Sequence, residues 1–167
     1  MRLTNKTTYG IEAMYYLAEK YIPHARPTTQ QARSMQTTTQ PTQRSTPRPV
    51  PISEIAKNEK ISKTFLEKIF KSLKKAGLVK SIKGVGGGYV LALPPSNISI
   101  IQILNALGEP IGPTFCVEEA LKQRCQKSSK CVPKKIWQSL RIHIKNYLNN
   151  TTLEDLLKIK NEELTQV

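Results

Sequence analysis

Residues 52–79 carry the pattern that most constrains the fold of this chain, namely two short amphipathic segments separated by a tight turn. An apolar face over 52–56 predicts a first short helix. Ser62 then stands as a good N-cap for a second helix, which Gly77 ends. Helix, turn and helix predict a helix-turn-helix unit, whose second helix enters the major groove of DNA. The predicted buried stripe of that helix is Phe65, Leu66, Ile69, Phe70 and Leu73.

A glycine-rich hairpin is predicted directly after this unit. Two β-prone runs, Leu78–Ile82 and Tyr89–Leu93, flank a turn that contains four glycines. A phosphate-binding loop would need Lys-Ser or Lys-Thr after the glycines and a helix opening there, and the sequence has neither. The hairpin is therefore predicted to be a wing. The expected fold class is mainly α with a small β-hairpin wing, a winged helix-turn-helix.

Helical spacing also marks the two ends of the chain. It predicts helices over 8–22 and 99–112, and a long C-terminal helix that Pro133 begins. A last short helix is expected after the capping box that Thr152 and Asp155 form. The apolar stripe predicted for the long helix comprises Ile136, Leu140, Ile144, Tyr147 and Leu148.

This long helix carries more apolar surface than one small domain can bury, since Trp137 and Ile142 lie outside its stripe. We therefore expect a symmetric homodimer that pairs along residues 133–149. Such a dimer would place two winged helices on a pseudo-palindromic DNA site, with half-sites about one helical turn apart.

Residues 23–50 differ in composition from the rest of the chain. They include five Pro, seven Thr and five Gln, but no Ile, Lys or acidic residue. Such a stretch cannot bury enough apolar area to offset the entropy of ordering, so we expect a disordered insert. Its four arginines fit a solvated linker better than a set of phosphate contacts.

The charge of the chain favours a polyanionic partner. Lys and Arg number 26 against 12 acidic residues, which gives a formal net charge of +14 and suits duplex DNA, RNA or an anionic membrane surface. The N-terminus lacks the apolar core of a secretion signal, and no stretch approaches the roughly 20 apolar residues of a membrane span. We expect a soluble protein of the bacterial cytoplasm or, given its Lys-, Ile- and Asn-rich body, the plastid stroma.

The three cysteines of the chain, Cys116, Cys125 and Cys131, fall in one short segment with C-x8-C-x5-C spacing. In a reducing compartment an odd number of cysteines indicates a metal or redox site rather than a disulfide framework. From spacing alone, an iron–sulphur cluster, a reversible Cys125–Cys131 disulfide and structural zinc stay nearly level. No nucleophile, base and acid share a catalytic spacing, so we do not expect an enzyme.

Several motifs together resemble the bacterial regulators related to IscR, NsrR and CymR. The matching pieces are the N-terminal MRLT, ISKTFLEKIFKSLKKAGLV, the wing KGVGGGYVLAL, the cysteine loop, and NNTTLEDLL at 149–157. The resemblance covers nearly the whole chain except the insert. It implies a winged helix, pairing of two chains along the C-terminal helix, and binding to duplex DNA. Some members ligate an iron–sulphur cluster through three cysteines, whereas the CymR-like members lack one.

The resemblance and the helix geometry together give a set of candidate DNA contacts. Positions at the start of the second helix reach base edges, while lysines further along meet phosphate or solvent. For Glu67 two hypotheses stand: acceptance from a cytosine amino group, or a helix-stabilising pair with Lys71. Lys83 stands where a cluster-binding relative has an arginine at the wing tip, which favours a phosphate or minor-groove contact. The candidates are Ser62, Lys63, Thr64, Phe65, Glu67, Lys68 and Lys83.

The resemblance also implies that all three cysteines ligate a 2Fe-2S or 4Fe-4S cluster. The fourth ligand stays unassigned, because Lys134 and Thr8 occupy the positions where two branches of the family have a histidine and an aspartate. Solvent and three side chains remain as candidates for it: His143, Glu118 and Glu119. The predicted function is a regulator that senses redox, iron–sulphur or nitric oxide status.

Two further functions stay open. A cluster-free regulator could act through a thiol switch or by binding an enzyme of cysteine metabolism. An RNA-binding winged helix would need exposed aromatic rings for base stacking, and only Phe65 and Tyr89 are placed for this. The predicted division of the chain is a DNA-binding domain at 1–98, a connecting helix and cysteine loop at 99–132, and a dimerisation helix with its tail at 133–167.

Overall fold

The structure, a computed structural model, describes residues 4–21, 48–118 and 131–165. Its mainly helical architecture with one two-stranded antiparallel hairpin confirms the predicted fold class. Two short 3-10 turns, Pro95–Asn97 and Phe115–Val117, join these elements. The helices are α1 (Asn5–Glu19), α2 (Ile52–Asn58), α3 (Lys63–Lys75), α4 (Ile100–Leu107), α5 (Val132–Asn150) and α6 (Leu153–Thr165), and the strands are β1 (Val79–Ile82) and β2 (Gly88–Leu91).

Helix α3 lies at the centre of the core and packs against α1, α2, α4 and β1. The predicted stripe of α3 is confirmed at four positions, where Leu66, Ile69, Phe70 and Leu73 are fully buried. Phe65 is only half-buried. The same cluster takes in residues that are distant in sequence, among them Met14 of α1, Ile103 of α4 and Leu153 of α6.

The turn of the helix-turn-helix forms at Glu59, Lys60 and Ile61. Lys60 is the one non-glycine residue with positive φ in the described part of the chain (φ 53°). The Ile61 N–H donates to the Ala56 carbonyl at 3.0 Å, which closes the turn. Ser62 occupies the N-cap position of α3 as predicted, but its side chain makes no capping hydrogen bond. The Ser62 side chain is instead exposed at the start of this helix.

The wing pairs β1 with β2 in a register that sets Val79 opposite Leu91 and Ile82 opposite Gly88. The Gly87 N–H donates to the Gly84 carbonyl at 2.9 Å and closes the turn. A Cβ atom at Gly88 would lie 2.3 Å from the Val50 carbonyl oxygen, so only glycine allows this close approach.

Val50 extends the hairpin and corrects the predicted boundary of the insert. Its N–H and carbonyl exchange two hydrogen bonds with Tyr89, each 2.9 Å. The Val50 side chain is 4% exposed and belongs to the core. The predicted insert 23–50 therefore ends too late, because its last residue, Val50, binds the wing. Positions 23–47 lie outside the described residues.

The other helices differ from the predictions mainly at their ends. Helix α1 spans Asn5–Glu19 instead of 8–22, whereas α4 ends at Leu107, directly before Gly108, where its helical spacing was predicted to end. Gly108 follows α4 with a φ of 72°, the left-handed conformation that terminates helices. The predicted capping box of the last helix is present: Asp155 accepts from the Thr152 N–H at 2.9 Å, and Thr152 accepts in return at 3.3 Å.

In the ranges that the structure describes, no helix is both long enough and apolar enough to cross a membrane. The division of the chain at residues 98 and 132 stays a prediction.

Candidate nucleic-acid interface and cysteine loop

The exposed side of α3 carries five of the seven predicted DNA contacts. Its N-terminal end presents Ser62, Lys63 and Thr64, and the next turn presents Glu67 and Lys68, all of them exposed. This side exists because the apolar residues of α3 recur at helical spacing on the other side, against the core. A helix held by one face with its N-terminal polar residues free is suited to enter a major groove.

Glu67 makes no ion pair or hydrogen bond with any residue in the described ranges. The pair with Lys71 considered above is thus not formed. An unpaired carboxylate on the exposed face of α3 keeps its full capacity to accept a hydrogen bond. The base contact of Glu67 stays a prediction, and the alternative pair with Lys71 is not present in the structure.

Lys74 ties the recognition helix to the wing. Its Nζ donates to the Ser81 Oγ in β1 at 2.6 Å. No sequence signal pointed to this bond, because the two residues lie on different elements. Lys74 is still exposed, so its expected contact with phosphate or solvent stays a prediction. The bond adds to the packing of α3 against β1.

Two aromatic rings named above are engaged within the protein. Phe65 packs edge-on against Tyr9, with ring centroids 5.9 Å apart. Tyr89 stacks on Phe70 with centroids 4.3 Å apart. Both rings are half-buried, and neither is free to stack on an unpaired base, as RNA recognition by this surface would require. Phe65 therefore positions α3 on α1, and its predicted DNA contact stays a prediction.

Acidic side chains are more frequent on and beside α1 and α2 than on α3 and the wing, where Glu67 is the one acidic residue. Burial and the nearby carboxylates of Glu12 and Glu19 raise the pKa of Glu59. Glu54 accepts a hydrogen bond from the Tyr16 hydroxyl at 2.9 Å, which joins α2 to α1. This separation leaves the lysines of α3 and the wing in a field that attracts phosphate.

Two of the three cysteines lie in described elements at either end of the segment 119–130. Cys116 lies in the 3-10 turn, where its Sγ is 3.1 Å from the Thr114 Oγ1. Cys131 is the N-cap residue of α5. Both thiols are free and partly exposed, and α5 packs against the turn that holds Cys116. Cys125 lies outside the described residues.

The donors near this loop fit a thiolate-ligated cluster only in part. No group of three metal-binding side chains occurs in the described residues, and Glu119 also lies outside them. Glu118 accepts a hydrogen bond from the Gly112 N–H, which folds its carboxylate back onto the loop. His143 donates to the Ser139 carbonyl at 2.8 Å, and it lies three helical turns from Cys131, about 18 Å along the axis. Within one chain, His143 and Cys131 cannot bind the same iron.

Helix α5 has no buried residue. The predicted apolar stripe spans about 120° around the helix, and its two edges have different surroundings. On one edge Leu148 packs against the core and Ile144 is half-buried. The other edge carries Ile136, Leu140 and Tyr147, which are 64%, 41% and 72% exposed. These three residues, which lie within about 40° of one another around the helix, are called the outer stripe below.

An exposed recognition helix, a wing braced against it and a lysine-rich surface together define a winged helix-turn-helix DNA-binding protein. This class contains many regulators with different signals, and the fold alone does not choose among them.

The family follows from comparison with known proteins. The family model described as Rrf2, iron-dependent transcriptional regulator, matches residues 27–159. The chain belongs to the Rrf2 family and is a transcriptional regulator, which confirms the resemblance found in the sequence. The IscR regulator of Klebsiella pneumoniae (strain 342) is 36% identical over 119 residues, 71% of this chain and 70% of that protein. Relatives named as transcriptional regulators agree with the predicted non-enzymatic role.

Solved structures support the same assignment. CymR, the global cysteine regulator of B. subtilis, superimposes with a TM-score of 0.66 and 30% identity, over 95% of this chain and 98% of that chain. T. potens IscR superimposes with a TM-score of 0.67 and 28% identity, over 98% of this chain and 90% of that chain. The chain is similar to both.

Proposed function

We propose that this Rrf2-family regulator binds a pseudo-palindromic DNA site as a homodimer and that an iron–sulphur cluster on its cysteine loop sets its DNA affinity. The main observation in favour of a cluster is the placement of Cys116 and Cys131. Both are free and partly exposed thiols, held on structured elements at the two ends of the segment that contains Cys125. The description of the family model as iron-dependent supports the same conclusion.

The chemistry of the donors suits such a cluster. Thiolates are the preferred protein ligands of iron–sulphur centres, and Cys131 places its thiol at the N-terminus of α5. The Thr114 hydroxyl, 3.1 Å from the Cys116 sulphur, can donate a hydrogen bond to it and tune the site. The cluster, when bound, would supply sensitivity to oxidants and nitric oxide. Its fourth ligand stays open.

Coupling to DNA would run through α5. The loop ends at Cys131, where α5 begins, and α5 carries the outer stripe that we propose as the dimer interface. Cluster ligation would fix the loop and hence the direction of α5. In a dimer on half-sites roughly 34 Å apart, a small change in that direction alters the spacing of the two recognition helices. A coupling of about 1–3 kcal/mol is enough to switch occupancy.

DNA binding would use the exposed side of α3, with Ser62, Lys63, Thr64 and Glu67 at base edges. Lys68 and Lys83 would meet phosphate. A protein that acts on a promoter works where the DNA is, so we place it in the bacterial cytoplasm or the plastid stroma.

The test is the visible absorption spectrum of anaerobically purified protein, together with DNA binding by single Cys→Ser variants. We expect a coloured protein, loss of the colour in Cys116→Ser, Cys125→Ser and Cys131→Ser, and a similar shift in DNA affinity for all three. Ser129→Ala, a change in the same segment that removes no thiol, should behave as wild type. A colourless protein with one equivalent of tightly bound zinc would overturn the proposal.

A thiol switch is the second candidate function, and the partly exposed Cys131 at a helix N-terminus favours it. A Cys125–Cys131 disulfide would form as two thiols lose two electrons and two protons to an oxidant. The expected result differs from that for a cluster. The protein would be colourless, reductant would reverse the change in DNA affinity, and Cys116→Ser would behave as wild type.

A further inference from the structure

Val85 stands at the outermost point of the wing, with a relative exposure of 111%. It is the most exposed large apolar side chain in the described ranges. We propose that Val85 enters the minor groove of the DNA site and disfavours G·C base pairs there. This inference rests on the proposed DNA binding and extends it to a residue and a base preference that were not among the predicted contacts.

The turn presents Val85 on a narrow edge. Between Lys83 and Tyr89 it is the sole residue with a side chain, because the other four positions are glycines. Gly86 has a φ of 76° at the third position of the turn that the bond from Gly87 to Gly84 closes, as a type II turn requires. A side chain with glycine on both sides can approach the floor of a groove about 6 Å wide without hindrance from its neighbours.

The wing is held in place before DNA arrives. One brace is the Lys74–Ser81 hydrogen bond of 2.6 Å, which connects β1 to α3. The other is the pair of 2.9 Å bonds between Val50 and Tyr89, which connects β2 to the segment before α2. With α3 in the major groove, this fixed hairpin carries Val85 at a set position along the flank of the same half-site. A preorganised contact loses little entropy on binding.

The chemistry of Val85 determines which base pair it tolerates. In the minor groove A·T pairs show only acceptors, whereas G·C pairs add the guanine N2 amino group as a donor. The methyl groups of valine cannot accept a hydrogen bond. Pressed onto a G·C pair they would displace water from that donor and leave it unpaired, which is unfavourable. Lys83, two residues earlier, is proposed to meet phosphate, and a phosphate contact does not distinguish G·C from A·T pairs.

The test begins with selection of DNA from a random duplex library by the full-length protein. Each base pair of the enriched site is then replaced in turn by G·C and by inosine·C. Inosine lacks the N2 amino group, so inosine·C keeps the major-groove face of G·C with the minor-groove face of A·T. We expect at least one position in each half-site where G·C weakens binding on the order of tenfold and inosine·C does not.

Variants of Val85 assign that position to the wing tip. Val85→Thr keeps the shape and adds an acceptor, so it should bind the G·C and inosine·C sites nearly equally. Lys83→Ala is the matched control, and it should weaken both sites by the same factor while keeping their ratio. Because Val85 is fully exposed, neither its substitution nor that of Lys83 should alter the melting temperature.

Sequence-specific DNA recognition by the protein and discrimination against G·C by Val85 are refuted by different results. Enrichment of no sequence would overturn the proposed DNA recognition and this inference with it. Enrichment of a site at which every position treats G·C and inosine·C alike would overturn the inference alone. An unchanged ratio in Val85→Thr would do the same, by assigning the discrimination to another residue.

Discussion

Replacing Ile136 by alanine should weaken dimerisation strongly. Ile136 lies on the outer stripe of α5 and is 64% exposed in the single chain. The substitution removes three carbon atoms, and each buried methylene contributes about 0.8 kcal/mol. Because about two-thirds of the side chain is still accessible, a fully packed interface would gain at most about 1.5 kcal/mol per copy from those atoms.

A symmetric interface contains two copies of Ile136, so the variant should lose about 3 kcal/mol of association free energy. This loss corresponds to a dimer Kd raised about 100-fold. Sedimentation equilibrium across nanomolar to micromolar protein concentrations measures the change directly. Circular dichroism should show unchanged helix content, since the substituted side chain contributes little to the core of one chain.

Ile142 provides the matched control on the same helix. It is 56% exposed but lies about 120° around α5 from Ile136. Ile142→Ala removes the same atoms and should leave the dimer Kd within about threefold of wild type. The interface proposed from the structure is the outer stripe, which does not include Ile142, although the sequence counted this residue toward the dimer surface. Equal weakening by both variants, or none by either, would refute pairing along the outer stripe.

Three further outcomes are expected. Glu67→Ala should change the preferred base at one position, with about 1–3 kcal/mol less discrimination between bases. An unchanged site preference in this variant would refute base readout by Glu67. Lys83→Ala should instead weaken binding to all sequences and lower the salt dependence of log K by about one. Lys60→Gly should raise the free energy of unfolding by about 0.5–1 kcal/mol, because it relieves the positive φ at lysine; a lower denaturation midpoint would contradict this. Replacing 23–46 by a flexible linker of about six residues should leave that free energy unchanged, whereas extending the deletion through Val50 should lower it by about 3–5 kcal/mol. Equal stability of the two deletions would show that neither the bonds to Tyr89 nor the burial of Val50 stabilises the fold.

Local sequence patterns are enough to predict the helix-turn-helix and the wing. The buried stripe of α3 is readable because helical periodicity places Leu66, Ile69 and Leu73 on one side of the helix. The wing turn is readable because glycines between two β-prone runs are needed for positive φ and close approach. The exposed candidate contacts of α3 follow from the same periodicity. All these features depend on residues near one another in the chain.

The cysteine loop shows the limit of such local information. The spacing places three thiols in one segment, but it does not distinguish among an iron–sulphur cluster, a zinc site and a disulfide. The structure adds that Cys116 and Cys131 lie on neighbouring elements, and it removes His143 as an iron ligand beside Cys131 in the same chain.

Contacts between residues that are distant in the chain could not be predicted from such patterns and depend on how the elements pack. Val50 belongs to a stretch whose average composition predicts disorder, but its backbone pairs with Tyr89 and its side chain enters the core. Phe65 turns toward Tyr9, and α5 divides its apolar residues between the core and the outer stripe. Spacing along the chain reports which side of an element a residue occupies. Which partner that side meets depends on how the elements pack, because burial and hydrogen bonding between distant residues are properties of the assembled core.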